Sequence, residues 1–279
     1  MTISASQVRE LRDQTGAGMM DCKEALKETE GDFESAVDFL RKKGMKSAEK
    51  KASRATSEGR VFVTTDDGGK AANLVSVNCE TDFVARTPNF EALLEALCAH
   101  VARENPSGVD VMLEQAWADG GTVSEAVKGT VGKLGENILL AGAGRLECPS
   151  GWVGSYIHHN QKVGVIVALE TSKSQEEASE IIKQVCMHCA VHNPAGLNRD
   201  EIDSETIERE RAIYKDEVKD KPENIQEKIV KGKLDKYFAG ICLNEQPWVM
   251  DDKSSTSAAI KAVLGEDAHI VSFLRFQIA

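Results

Sequence analysis

The chain has 279 residues, 41% of them hydrophobic, and a formal net charge of −11 at neutral pH. This length and composition can bury a sizeable core in one large domain or in two to three smaller ones. Direct nucleic-acid binding relies on clustered Lys and Arg, so the acidic balance argues against it and favours a protein partner.

Two further class-level expectations concern location and redox state. No stretch has the roughly 20 apolar residues that cross a bilayer, and the first residues contain no apolar signal core. A cytoplasmic protein without membrane contact is therefore expected. The seven cysteines are odd in number and lie in apolar segments, which predicts reduced, buried thiols.

The first 45 residues predict a domain of three helices. Apolar residues recur at helical spacing in three groups, separated by the breaks at Thr15–Gly18 and Gly31, and Asp32 is a suitable cap for the third helix. The groups are Val8 and Leu11; Cys22, Ala25 and Leu26; and Phe33, Ala36, Val37 and Leu40. A basic linker helix is predicted over residues 46–56. A solvated linker is its simplest interpretation, and a contact with RNA or an acidic surface is the alternative.

The rest of the chain contains two related halves. Gly59-Arg60-Val61 matches Gly151-Trp152-Val153, and strand-like runs follow both. Residues 93–106 align without gaps with 181–194, and residues 127–140 with 230–243. The repeat predicts an α+β fold with two duplicated core subdomains, each a strand–strand–helix–helix–strand unit with antiparallel strands. Their limits are placed at residues 57–147 and 148–279.

The second copy is longer than the first within a charged segment. Two narrow apolar seams flank Lys221-Pro222 in this segment. They consist of Ile207, Tyr214 and Val218, and of Ile225, Ile229 and Leu234. The pattern predicts an antiparallel helical coiled-coil hairpin inserted at about residues 203–237.

The first copy is longer at Thr81-Asp82-Phe83-Val84, within the run NCETDFVART. One interpretation makes Phe83 a core residue that caps the junction of strand and helix. However, the second copy closes the same core without this residue. The alternative is an aromatic on a loop tip, beside the Asp82 carboxylate, that inserts into a partner.

Other motifs carry little functional signal. Cys186, His188, Cys189 and His192 resemble half of a zinc site, but all four lie on one helix, so a packed helix is favoured. Gly129–Lys133 has the wrong spacing for a phosphate loop. The pair His158-His159 has no evident orienting acid or oxyanion site for catalysis. The sequence thus predicts no catalytic residue, no bound metal and no cofactor.

Five longer segments resemble the bacterial elongation factor Ts family. They are TGAGMMDCKEAL at 15–26, NCETDFVA at 78–85, GKLGENI at 132–138, GSYIHH at 154–159 and QPWVM at 246–250. The resemblance runs from the N-terminus nearly to residue 279. It implies a ubiquitin-associated-like (UBA-like) N-terminal domain, two related core subdomains, a coiled-coil module and guanine-nucleotide exchange on elongation factor Tu, without covalent chemistry.

The resemblance also implies site residues. By position, Thr81, Asp82, Phe83 and Val84 form the segment that dislodges the partner's magnesium ion. The further partner-binding positions are Arg12, Met19 and Met20 in the N-terminal domain and Leu134, Gly135, His158, Val249 and Met250 in the core. A homodimer through the coiled coil stays open. So does a second function, a protein-binding scaffold that has the UBA-like domain but no exchange activity.

Overall fold

The architecture combines helices with small β-sheets in a computed structural model that describes residues 3–278. The predicted α+β class is confirmed. The chain forms two compact units. Unit 1 comprises residues up to Phe62, Leu74–Gly144 and the residues from Phe276 onward, and unit 2 comprises Val63–Asn73 and Arg145–Arg275. The predicted domain limits at residues 1 and 279 lie outside the described residues. Within residues 3–278, each helix is too short or too polar to cross a membrane.

The N-terminal part of unit 1 consists of helices α1 (Ala5–Thr15), α2 (Met19–Glu28) and α3 (Phe33–Lys51). Ser4 caps α1 in a reciprocal capping box, and Asp32 caps α3 by accepting a hydrogen bond from the Ser35 N–H. The helix-spaced apolar residues meet in one cluster, whose buried members are Val8, Leu11, Cys22, Ala25, Leu26 and Ala36. The three predicted helices are thus present.

The separate linker helix predicted for residues 46–56 does not form. Instead, α3 continues without a break to Lys51, and residues 52–57 are not helical. The Lys, Glu and Ala residues of this stretch are good helix formers, so they extend the helix that precedes them. The predicted boundary at residue 45 therefore falls inside α3.

A three-stranded sheet and four helices follow along the chain. In order, these elements are β1 (Glu58–Thr65), β2 (Ala71–Cys79), α4 (Asp82–Ala85), α5 (Pro88–Glu104), α6 (Val109–Glu114), α7 (Val123–Leu134) and β3 (Ile138–Glu147). The strand order is β1-β2-β3. Every residue of the central strand β2 is buried, including the polar residues Asn73, Ser76 and Asn78. Apolar residues of α5 and α7 join β2 in the core, among them Leu94, Leu97, Val127 and Val131.

Two glycines of α7 predict opposite effects on stability. A Cβ at Gly132 would lie 2.7 Å from the Gly44 Cα of α3, whereas a Cβ at Gly129 would meet no atom within 4 Å. Gly129→Ala should therefore stabilise the protein by about 0.5–1 kcal/mol through helix propensity. Gly132→Ala should instead destabilise it by about 1–3 kcal/mol through overpacking. Urea unfolding measures the change in the free energy of unfolding for each variant. Changes of the same sign in the two variants would contradict the close approach of α3 and α7.

Unit 2 contains a second three-stranded sheet. In chain order its elements are β4 (Gly151–Ile157), β5 (Val163–Glu170), α8 (Gln175–His192), α9 (Ser204–Glu217), α10 (Glu223–Ile241), β6 (Pro247–Trp248), β7 (Asp251–Ser255), α11 (Thr256–Leu264) and β8 (His269–Gln277). Strands β4 and β5 pair antiparallel with Gly151 opposite Glu170, and the strand order is β4-β5-β8.

The two sheets share one arrangement, but the third pair of matching segments was predicted wrongly. The sequence alignment matched residues 230–243 with residues 127–140, which run from α7 into β3, yet residues 230–243 lie in α10 and the turn after it. The element that corresponds to α7 is α11. Both helices begin after a Thr or Ser cap and end at Leu-Gly-Glu, and each leads into the third strand of its sheet. The insertion in the second copy is accordingly the whole hairpin of α9 and α10.

The inserted hairpin has its own apolar cluster. Its buried residues are Ile202, Val218, Val230, Leu234, Phe238 and Cys242, and Ile207, Tyr214 and Ile229 pack against them. Most residues of the two predicted seams are therefore used in packing. Ile225 is the exception, because it is 44% exposed near the start of α10. The coiled-coil character of the hairpin stays a prediction.

Candidate functional site

The segment Thr81–Val84 lies directly after the central strand of the first sheet. It was predicted as a loop tip, but it forms the single helical turn α4. Thr81 caps this turn by accepting a hydrogen bond from the Val84 N–H at 3.3 Å. In the second copy, residues 171–174 lead directly from β5 into α8. The turn α4 is thus an addition to the shared unit.

The residues of α4 divide into an exposed part and an anchored part. The Phe83 side chain is 81% exposed, while Ala85 is buried and Val84 packs against the core of unit 1. Asp82 pairs with Arg86 at 3.2 Å across one helical turn. The interpretation of Phe83 as a core residue is therefore wrong, because its ring lies in solvent.

A carboxylate that sequence reasoning missed holds the start of α4. The Thr81 N–H donates to Glu136 Oε2 at 3.0 Å, and the Thr81 hydroxyl donates to Glu136 Oε1 at 2.6 Å. Next to this pair, the Asn137 N–H donates to Glu80 Oε1 at 2.6 Å. Hydrogen bonds to ionised carboxylates are short and comparatively strong. They bring the predicted positions Leu134 and Gly135, at the end of α7, beside the predicted segment Thr81–Val84.

The end of α7 also lies close to the N-terminal helices. A cavity of about 550 Å³ is lined by Thr15, Ala17 and Gly44 on one side and by Gly132 and Gly135 on the other. Gly135 ends α7 with a φ of 79°, a conformation that favours glycine. The N-terminal domain and the core of unit 1 thus meet beside the end of α7, next to Gly135.

The predicted positions of the N-terminal domain are exposed on its surface. Met19 and Met20 form the first turn of α2, and Met20 is 75% exposed. Arg12, on α1, pairs with the neighbouring Asp13 at 3.2 Å, and both side chains face solvent. Two adjacent exposed methionines are suited to contact with a partner, since Met adapts to irregular apolar surfaces.

The remaining predicted positions lie in unit 2. Val249 and Met250 form the turn between β6 and β7, and Met250 is 54% exposed. His158 follows the end of β4, where the Tyr156 hydroxyl lies 2.9 Å from His158 Nδ1 and the His159 ring lies 4.2 Å away. Their role in partner binding stays a prediction.

Of the four residues that resembled half of a zinc site, Cys186, His188 and Cys189 are buried packing residues of α8, and His192 is exposed. His188 Nε2 lies 3.0 Å from Gln246 Oε1, and its ring stacks on Trp248 at 5.5 Å. Burial raises the pKa of the Cys189 thiol to about 12, and it also raises the pKa of Cys186. These thiols are therefore protonated at neutral pH in the structure as it stands.

Comparison with known proteins identifies the family. The family model described as elongation factor TS matches residues 80–279. Elongation factor Ts of Magnetococcus marinus is 41% identical over 100% of this chain and 93% of that protein. The Clostridium acetobutylicum protein of the same name is 40% identical over 99% of this chain and 92% of its own. Elongation factor Ts of Lawsonia intracellularis is 38% identical over 100% of this chain and 99% of that protein. The chain therefore belongs to the elongation factor Ts family.

Proposed function

We propose that the chain is a guanine-nucleotide exchange factor for elongation factor Tu in translation elongation. It binds Tu with bound GDP, displaces Mg²⁺ and promotes the release of GDP. The observation that carries this proposal is the exposed Phe83 ring on a helical turn that the second copy lacks and that Glu136 holds in place. An added, anchored and unshielded aromatic is suited to insertion into another protein.

The mechanism needs no covalent step. Magnesium bridges the nucleotide phosphates and its protein ligands, so displacing those ligands removes the largest local positive charge that retains GDP. Burial of the Phe83 ring in a pocket of Tu supplies about 2–3 kcal/mol toward this rearrangement. The Asp82 carboxylate, placed near the phosphates, disfavours the bound anion or reorders the metal ligands.

The other predicted positions hold the partner. Met19, Met20 and Arg12 of the N-terminal domain, which we interpret as UBA-like, grip the GTPase domain of Tu. Leu134 and Gly135 extend this surface toward Phe83, and their hydrogen-bonded neighbour Glu136 supports that continuity. His158, Val249 and Met250 of unit 2 supply further contacts.

Thermodynamic linkage sets the order of affinities. If binding of this chain lowers the affinity of Tu for GDP by some factor, binding of GDP must lower the affinity of Tu for this chain by the same factor. The chain therefore binds nucleotide-free Tu more tightly than Tu with GDP.

The proposal is tested by the release of fluorescent GDP from purified Tu in stopped flow. Substoichiometric amounts of this chain should accelerate release, and added Mg²⁺ in excess should oppose that acceleration. A chain that binds Tu in gel filtration but leaves the release rate unchanged would be a scaffold without exchange activity, and the proposal would be wrong.

A further inference from the structure

Each copy of the repeated unit contains a His, a Gln and a Trp in the same arrangement, and the His is buried in both copies. In unit 1, His100 Nε2 lies 2.8 Å from Gln115 Oε1, and its ring stacks on Trp117 at 5.6 Å. In unit 2, His188 has the same relation to Gln246 and Trp248. Both Gln-x-Trp segments begin a short hairpin, shown by the pairs Ala116 with Thr122 and Pro247 with Ser255. The histidine is thus part of the shared scaffold.

The two histidines differ at their second ring nitrogen. His100 Nδ1 accepts from the Arg103 guanidinium at 3.1 Å, a contact within α5. His188 Nδ1 instead accepts from the Val249 backbone N–H at 3.3 Å. Val249 is the first residue of the two-residue turn between β6 and β7. Of these two contacts, only the one made by His188 holds a turn, and the side chains of that turn are exposed.

This contact fixes the tautomer of His188. Because Nδ1 accepts a hydrogen bond from a backbone N–H, the ring proton must be on Nε2, where it is donated to Gln246 Oε1. The Gln246 amide in turn donates to the Gly240 carbonyl at 2.9 Å. The His192 ring, one turn further along α8, stacks on the His188 ring with 4.4 Å between the ring centroids. The ring is thus held on several sides, and it can transmit that rigidity to the turn.

We propose that His188 is a positioning residue for partner binding, which holds the Val249-Met250 turn in the conformation that contacts the GTPase. This inference rests on the proposed function. Val249 is 37% exposed and Met250 is 54% exposed, so both side chains are available to a partner. Preorganisation of an exposed turn lowers the ordering entropy that binding must overcome. At the corresponding positions of unit 1, Ala118 and Asp119 take the place of Val249 and Met250, so that turn presents a smaller apolar surface.

Two substitutions separate the positioning role from a packing role. In His188→Asn, the side-chain oxygen can take the place of Nδ1 and accept from Val249, while the donor to Gln246 is lost. In His188→Gln, the amide nitrogen can take the place of Nε2 and donate to Gln246, while the acceptor for Val249 is lost. We expect His188→Gln to weaken binding to nucleotide-free Tu by about 3- to 10-fold, the amount that one hydrogen bond is worth. The Asn variant should bind more tightly than the Gln variant, even where both have similar melting temperatures.

A matched control and a measurement on the unaltered chain complete the test. His100→Gln, in the other copy, should leave affinity for Tu unchanged. In the wild-type chain, the Val249 N–H should exchange with deuterium much more slowly than the Met250 N–H of the same turn. Equal exchange of these two amides, or equal affinities of the Asn and Gln variants, would overturn the inference. A wild-type chain that fails to bind Tu at all would instead overturn the proposed function.

Discussion

Replacing Phe83 by Ala is expected to reduce the efficiency of GDP exchange on Tu by about 30- to 140-fold without loss of stability. The range converts the roughly 2–3 kcal/mol gained by burying one Phe side chain in a partner. The melting temperature should stay unchanged, because the ring is 81% exposed and contributes little to the core. Stopped-flow GDP release and thermal unfolding on the same preparations measure the two effects separately.

The matched control for Phe83→Ala is Val111→Ala. Val111 is 50% exposed on α6, in the same unit, and it lies outside the predicted partner surface. Its replacement should leave exchange unchanged. If Phe83→Ala lowered the melting temperature but kept full specific exchange activity, the ring would serve the fold and its assignment to the partner would be wrong.

The position of the added turn could be predicted because it interrupts a repeat. Comparison of the two copies isolated Thr81–Val84 as residues that the unit does not need, and the structure shows α4 there. The contacts that hold α4 could not be predicted in the same way. Glu80 and Glu136 interact with residues more than 50 positions away. No local periodicity encodes such pairs, although both lie within the segments NCETDFVA and GKLGENI that carried the family resemblance.

The third pair of repeated segments shows that a short stretch of identical residues can produce a wrong alignment. Val127-Lys128-Gly129 is identical to Val230-Lys231-Gly232, and this match drew the alignment toward α10. The physical signal was elsewhere, in a capped helix that ends at Leu-Gly-Glu and leads into a strand. Leu134-Gly135-Glu136 and Leu264-Gly265-Glu266 both have this context. The order of capped helix, glycine and strand specifies the unit better than three shared residues do.

The same repeat predicts a residue on which stability depends strongly. Gly59 is the second residue of β1 and Gly151 is the first residue of β4, and a Cβ at either position would clash with the backbone of the neighbouring strand. At Gly59 the clash is with the Val77 carbonyl oxygen and the Asn78 Cα, at 2.2 and 2.8 Å. Gly59 also has a φ of 144°, which side-chain-bearing residues rarely adopt. Its neighbour strand β2 leads directly into Glu80 and Thr81, so the packing of the hairpin supports the candidate site.

Gly59→Ala is therefore expected to destabilise the protein by about 2–6 kcal/mol. About 1–3 kcal/mol comes from overpacking against fixed backbone, and about 1–3 kcal/mol comes from the disfavoured backbone conformation. This loss is a large fraction of the usual stability of about 5–15 kcal/mol. Urea unfolding followed by circular dichroism measures it, and exchange activity should fall in parallel as temperature rises.

Gly68→Ala is the control in the same hairpin. Its Cβ would meet the Asp66 carboxylate at an ordinary 3.6 Å, in the exposed turn between β1 and β2. This variant should stay within about 0.5 kcal/mol of the wild type, as exposed substitutions usually do. If Gly59→Ala were equally mild, β1 and β2 would not approach as closely at Gly59 as the structure has them. There would then be no steric reason for a glycine at the matching positions Gly59 and Gly151. The inference that the β1–β2 packing supports Thr81 would also lose its physical basis.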